Sequence, residues 1–207
     1  MHRIWTIHRL IPITVSLLLS SCAYFNTFYN AEKYFNEADR IRLEKSDKAV
    51  PLRAMDNYGK TIQKCKIVLS DFPESKYVNS AIILMAKSQF HRQEYDLAIN
   101  NIKSILNSVE NKQKEEAIYW IALCKWKKGN LQTAINELED LISKSQINTI
   151  KSMAFLSLSE IFNELKDLNK SIDFLQEAGK LTNERSQKGI IYNKLAEMAF
   201  DKKDFKL

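Results

Sequence analysis

Few residues in this chain have the type and spacing for chemistry. Beyond position 21 the only histidine is His91, since His2 and His8 both precede that point. A hydrolase or transferase needs a nucleophile, a base and a group that orients the base, or else a metal set. No Gly-rich phosphate loop, HExxH or GxSxG stretch occurs. The carboxylates Glu137, Glu139 and Asp140 crowd one short stretch at spacings typical of a solvated helix face. Cys65 and Cys124 each sit among apolar positions, without a CxxC partner or a histidine at ligand spacing. They read as two small buried residues rather than a disulfide or a metal site. The expectations are no enzyme, no cofactor and no metal. Cys22 is different, because it directly follows an apolar run.

The elements that carry these residues are helical. Four glycines and three prolines in 207 residues are too few for the turns a sheet protein needs. The expected fold class is all-α, with short connections. Of 31 basic residues, Arg3 and Arg9 lie before Cys22; the remaining 29 face 25 acidic residues, and that small excess is spread along the chain. Nucleic acid is therefore not an expected partner.

Three segments align on one another: "ILMAKSQFHRQEYDLAINNIKSIL" (83–106), "WIALCKWKKGNLQTAINELEDLI" (120–142) and "LSLSEIFNELKDLNKSIDFLQEA" (156–178). In each, a helix and a tight break lead to Tyr95, Leu131 or Leu168. A small residue and an isoleucine follow: Ala98 and Ile99, Ala134 and Ile135, Ser171 and Ile172. The spacings are 36 and 37, and Phe205 continues them. The pattern resembles the tetratricopeptide repeat, a helix-turn-helix of about 34 residues whose copies stack into a solenoid. Ala86, Ala122, Ser159 and Ala196 stand where the first helix of each pair is crossed by the second. Gly129 supplies one turn, with Gln93, Lys166 and Lys203 at the equivalent places. An earlier, less regular pair spans 24–45 and 54–72, joined by the polar stretch 44–53, and Ser75 is placed to cap the helix after Pro73. About four repeats are visible. The last is incomplete, so the sequence reads as a piece of a longer chain. The expected division is 1–21 signal, 22–74 irregular first pair and 75–207 repeat array.

The tetratricopeptide resemblance implies a concave groove lined by the first helix of each pair. Carried over by alignment, its residues are Ile83, Lys87, Phe90 and His91, then Tyr119, Leu123, Trp126 and Lys127, with Leu156, Glu160 and Asn163 in the third copy. Aromatic rings beside lysines suit peptide segments with an aromatic or carboxylate terminus.

Residues 1–21 combine arginines, no acid and the apolar run "LIPITVSLLL", which is too short for a permanent span and suited to an export signal. The signal ends Leu19-Ser20-Ser21-Cys22, which resembles the lipobox of bacterial lipoproteins. That resemblance implies cleavage before Cys22 and acylation of Cys22, an anchor in the membrane. Ala23 in place of aspartate is similar to the class sorted to the outer membrane, periplasm-facing. "DFPESKYVNSAIILMAKSQFHRQEYDLAI", and "TFYNAEKYFNEA" soon after the cysteine, resemble the BamD-type lipoproteins of outer-membrane β-barrel assembly. The implied function is a lipid-anchored scaffold that binds other envelope proteins. The alternatives are a glycan- or nutrient-binding lipoprotein of the SusD type and a generic envelope coordinator.

Overall fold

The computed structural model describes residues 26–44 and 49–202, and every regular element among them is an α-helix. In chain order these are α1 (residues 26–43), α2 (Leu52–Asp71), α3 (Val78–His91), α4 (Tyr95–Ile105), α5 (Asn111–Lys127), α6 (Leu131–Lys144), α7 (Asn148–Glu164), α8 (Leu168–Leu181) and α9 (Arg185–Lys202). Cys22, Tyr24, Phe25, Lys203 and Phe205 lie outside the described residues, as do residues 1–21, where an export signal is expected, and residues 45–48. The chain divides into two compact units, Met1–Ile105 and Leu106–Leu207. The expected boundary at 74–75 falls in the turn between α2 and α3, inside the first unit.

The first unit is built on alanines at helix crossings. Ala31, Ala38, Ala54 and Ala81 have no exposed surface, which lets α1, α2 and α3 approach closely. Phe28, Phe35, Tyr58, Cys65 and Val68 fill the space around them. Burying each large side chain stabilises the unit by about 1.5–3 kcal/mol before entropy is counted. Pro51 stands immediately before α2, and Pro73 follows its end. Ser75 acts in the turn ahead of the regular helix. Its hydroxyl accepts from the Tyr77 N–H at 3.1 Å, and its carbonyl accepts from the Val78 N–H at 3.1 Å.

In the second unit the small residues do what the repeat register requires. Ala122 and Ala134 are completely buried in the α5–α6 pair. At the same crossing of α7 and α8, Ser159 and Ser171 face each other with hydroxyls 3.0 Å apart, and Ser171 also donates to the Ser159 carbonyl at 2.8 Å. A hydroxyl pair thus replaces the alanine pair without leaving a polar group unsatisfied. Ala196, the equivalent residue of α9, is exposed. Leu175, Ala178 and Ile191 form a further buried cluster with Phe155, Leu156, Leu195 and Met198 packed against it.

Three turns are built alike. Gln93, Gly129 and Lys166 all have positive φ, at 63°, 89° and 65°. After α3 the Gln93 N–H donates to the Phe90 carbonyl and the Glu94 N–H to the Gln89 carbonyl. The same two bonds recur after α5, from Gly129 to Trp126 and from Asn130 to Lys125, and after α7, from Lys166 to Asn163 and from Asp167 to Phe162. This is the left-handed helix end that satisfies the last carbonyls of a helix. Asp167 then caps α8, accepting from the Lys170 N–H at 3.2 Å.

Candidate functional site

The expected groove residues of the first unit lie on α3, and most face inward. Ile83, expected in the groove, is 4% exposed and packs in the core. Lys87 and Phe90 are half-buried. The Lys87 ammonium sits 5.1 Å over the Phe35 ring, and Phe90 meets His91 edge-on at 5.3 Å.

His91, also expected in the groove, is part of a packed polar cluster. It stacks on Tyr58 of α2, with ring centroids 4.9 Å apart and planes 18° from parallel. Its Nε2 lies 3.7 Å from Asp39 Oδ1 on α1. Asp39 accepts from the Tyr58 hydroxyl at 2.8 Å and from Arg42 Nη2 at 2.9 Å. Burial, reinforced by the Arg42 charge, pushes the His91 pKa down to about 3, so at neutral pH it is uncharged and the contact with Asp39 is not an ion pair. Burial resists ionisation of Asp39, yet Arg42, His91 and the Tyr58 hydroxyl together hold its carboxyl below its usual range. Burial beside Asp39 raises the Tyr58 hydroxyl. Each group is fixed in the state its neighbours satisfy, which suits a structural joint between α1, α2 and α3. Asp39 and Arg42 were not singled out from sequence. Asp39 and Arg42 share a face of α1, but no local pattern ties them to residues on two later helices.

The second unit carries the other four residues on α5. Tyr119, Leu123 and Trp126 are buried, with Trp126 only 6% exposed; Lys127 is exposed. The physical source of this burial for Tyr119 and Trp126 is the neighbouring first-of-pair helix, α7. The Tyr119 hydroxyl lies 2.9 Å from the Ser157 hydroxyl, and Trp126 Nε1 donates to Glu164 Oε2 at 3.0 Å. Both contacts join residues 38 apart, one repeat along the chain. Lys127 Nζ donates to Glu164 Oε1 at 3.2 Å and lies 3.3 Å from the Trp126 ring centroid. Lys194 of α9 makes an ion pair with Glu160 of α7. Toward the C-terminal ends of α5 and α7 the surface left to solvent is polar and includes Lys127, Glu160, Asn163 and Glu164. Sequence alignment placed Glu160 and Asn163 on it but overlooked Glu164.

Between α1 and α2 of the first unit runs a cleft of about 640 Å³, where Tyr29, Tyr34, Arg53 and Lys60 lie among carboxylates. Glu37 is shared by Arg40 and Arg53, and Asp56 pairs with Lys60. Cys65 and Cys124 are buried and not in a disulfide, and burial pushes the Cys65 thiol up to about 12, so it is an inert packing group. Among the described residues no cluster of His, Cys, Asp and Glu has the arrangement to hold a metal, and no helix is long and apolar enough to cross a membrane.

The α5–α6 pair has two helices, the left-handed turn at Gly129 and the Ala122–Ala134 register. Residues 116–145 match the tetratricopeptide repeat family model. Among solved structures, the chain is similar to the crystal structure of MamA, with 16% identity and a TM-score of 0.49; the match covers 73% of this chain and 82% of that one. Comparison with curated proteins gives no match.

Proposed function

We propose that this protein is a non-enzymatic scaffold that binds segments of other proteins along the first-of-pair helices of its repeats. The observation that carries this reading is the polar surface of α5 and α7. There Lys127 of α5 and Glu160, Asn163 and Glu164 of α7 are exposed, with Lys127 and Glu164 one repeat apart, on a frame set by buried residues. A rigid frame with exposed, spaced polar groups binds peptide with little ordering cost. The match of residues 116–145 to the tetratricopeptide repeat supports the same reading.

The finer part concerns address. Leu19-Ser20-Ser21-Cys22 supports cleavage before Cys22 and acylation there, with the chain held at the outer membrane and facing the periplasm. The Phe72-Pro73-Glu74-Ser75-Lys76-Tyr77 opening supports a place among the assembly lipoproteins of outer-membrane β-barrels, with envelope proteins as partners. Purification from detergent-solubilised envelopes, with Cys22→Ala as control, tests both parts. Barrel-assembly proteins are expected with the native chain and depleted with the variant. A native chain that carries no acyl label defeats the lipid anchor. Recovery of no barrel-assembly protein reduces the role to that of a general scaffold.

A further inference from the structure

Glu164 is the last residue of α7, and its carboxylate is held by two donors from α5. One is the indole N–H of the buried Trp126, and the other is the Lys127 ammonium, which also lies over the Trp126 ring. An aromatic N–H beside an ammonium is a complete recognition point for one carboxylate. In the free chain an internal carboxylate fills it.

We propose that Glu164 stands in for a partner's carboxylate, so that Trp126 and Lys127 form a carboxylate-recognition point that a bound segment reaches by displacing Glu164. The proposal rests on the scaffold reading and names the group that scaffold recognises.

Three features favour a displaceable occupant over a structural staple. Glu164 is 58% exposed in its side chain, and an ion pair at such a site contributes little net stability because water and salt screen it. The packing of α7 rests on buried residues instead: Leu158 and Ile161 have no exposed surface, and Ser157 meets the Tyr119 hydroxyl. Finally, the part-buried indole N–H requires an acceptor, so removal of Glu164 leaves a demand that another carboxylate satisfies. The occupant is a carboxylate rather than a phosphate group, because the site offers a single ammonium and one N–H, matched to two carboxylate oxygens.

The test is fluorescence-anisotropy titration of the full chain in detergent. The probe is fluorescein-labelled Gly-Ser-Gly-Ser-Phe with a free terminal carboxylate, compared with the same peptide as its carboxamide. Glu164→Ala and the shape-preserving Glu164→Gln are the variants, with folding checked by circular dichroism. Both variants are expected to bind the carboxylate peptide at least about fivefold more tightly than the native chain does. The carboxamide should gain nothing, and adding Lys127→Gln should abolish the gain. Equal or weaker binding by the variants, an equal gain for the carboxamide, or no binding by any chain overturns the proposal. If native partners still co-purify after such a result, the scaffold reading survives. If they never did, that reading has failed on its own test.

Discussion

His91 of α3 stacks on Tyr58 of α2 at 4.9 Å, within 4 Å of a carboxylate on α1. Helices α1, α2 and α3 meet at this one ring, with His91 lying 33 residues beyond Tyr58 and Tyr58 lying 19 beyond Asp39. Its titration is therefore a readout of how firmly the first unit is closed.

The His91 pKa is about 3 in the folded chain against an ordinary value of 6.5. Between those values the unfolded chain binds a proton that the folded chain does not. Stability is thus unaffected by this group above pH 6.5 and falls as the pH drops below it, by up to about 1.4 kcal/mol per pH unit. Asp39, held below its usual range, adds a further loss only where the pH falls beneath its unfolded value near 3.8. Denaturant titrations between pH 7.5 and 4.5 are expected to show this fall for the native chain and a flatter profile for His91→Phe. Parallel profiles would count against a buried neutral His91.

The three left-handed turns predict a pair of opposite effects. A side chain at φ near +65° costs about 1 kcal/mol relative to glycine, part of which is returned because glycine loosens the unfolded chain. Gln93→Gly and Lys166→Gly are expected to stabilise by about 0.5 kcal/mol each. Gly129→Ala should destabilise by about 1 kcal/mol through strain rather than collision, since a Cβ there meets nothing within 4 Å. Urea midpoints at constant m-value measure all three.

The α7–α8 crossing predicts non-additivity. Ser171→Ala removes a donor to the Ser159 carbonyl and orphans the Ser159 hydroxyl, at a cost of about 1–2 kcal/mol. Ser159→Ala with Ser171→Ala removes both buried hydroxyls and reproduces the Ala122–Ala134 pairing, so the double variant should be more stable than Ser171→Ala alone. Ser171→Leu forces a larger side chain into a crossing with no exposed surface and should cost about 3 kcal/mol. A double-variant cycle by denaturant unfolding measures the coupling.

Much of this architecture was legible in the sequence because stacking repeats impose one small residue per crossing and one left-handed turn per pair. The alignment of Ala86, Ala122 and Ser159 located three crossings, and the alignment of Gln93, Gly129 and Lys166 located three turns. The binding surface was less legible. Alignment identifies which face of a helix a residue occupies but not how much of that face the next repeat covers. Tyr119 and Trp126 were placed on the correct helix and proved buried, because hydrogen bonds to Ser157 and Glu164 close them against α7. The Asp39–Tyr58–His91 joint was not legible at all, since its members come from three helices in the least regular part of the pattern.

The central claim is that partner segments lie on the solvent-facing edge of α5 and α7. It is tested most directly by placing a photoreactive residue at Asn163 in the full chain within living cells, with the exposed Lys144 of α6 as the control position. The expected result is a discrete set of protein adducts from position 163 that is absent from position 144 and is competed away by excess unlabelled chain. No adduct at 163, or the same adducts at both positions, would contradict it.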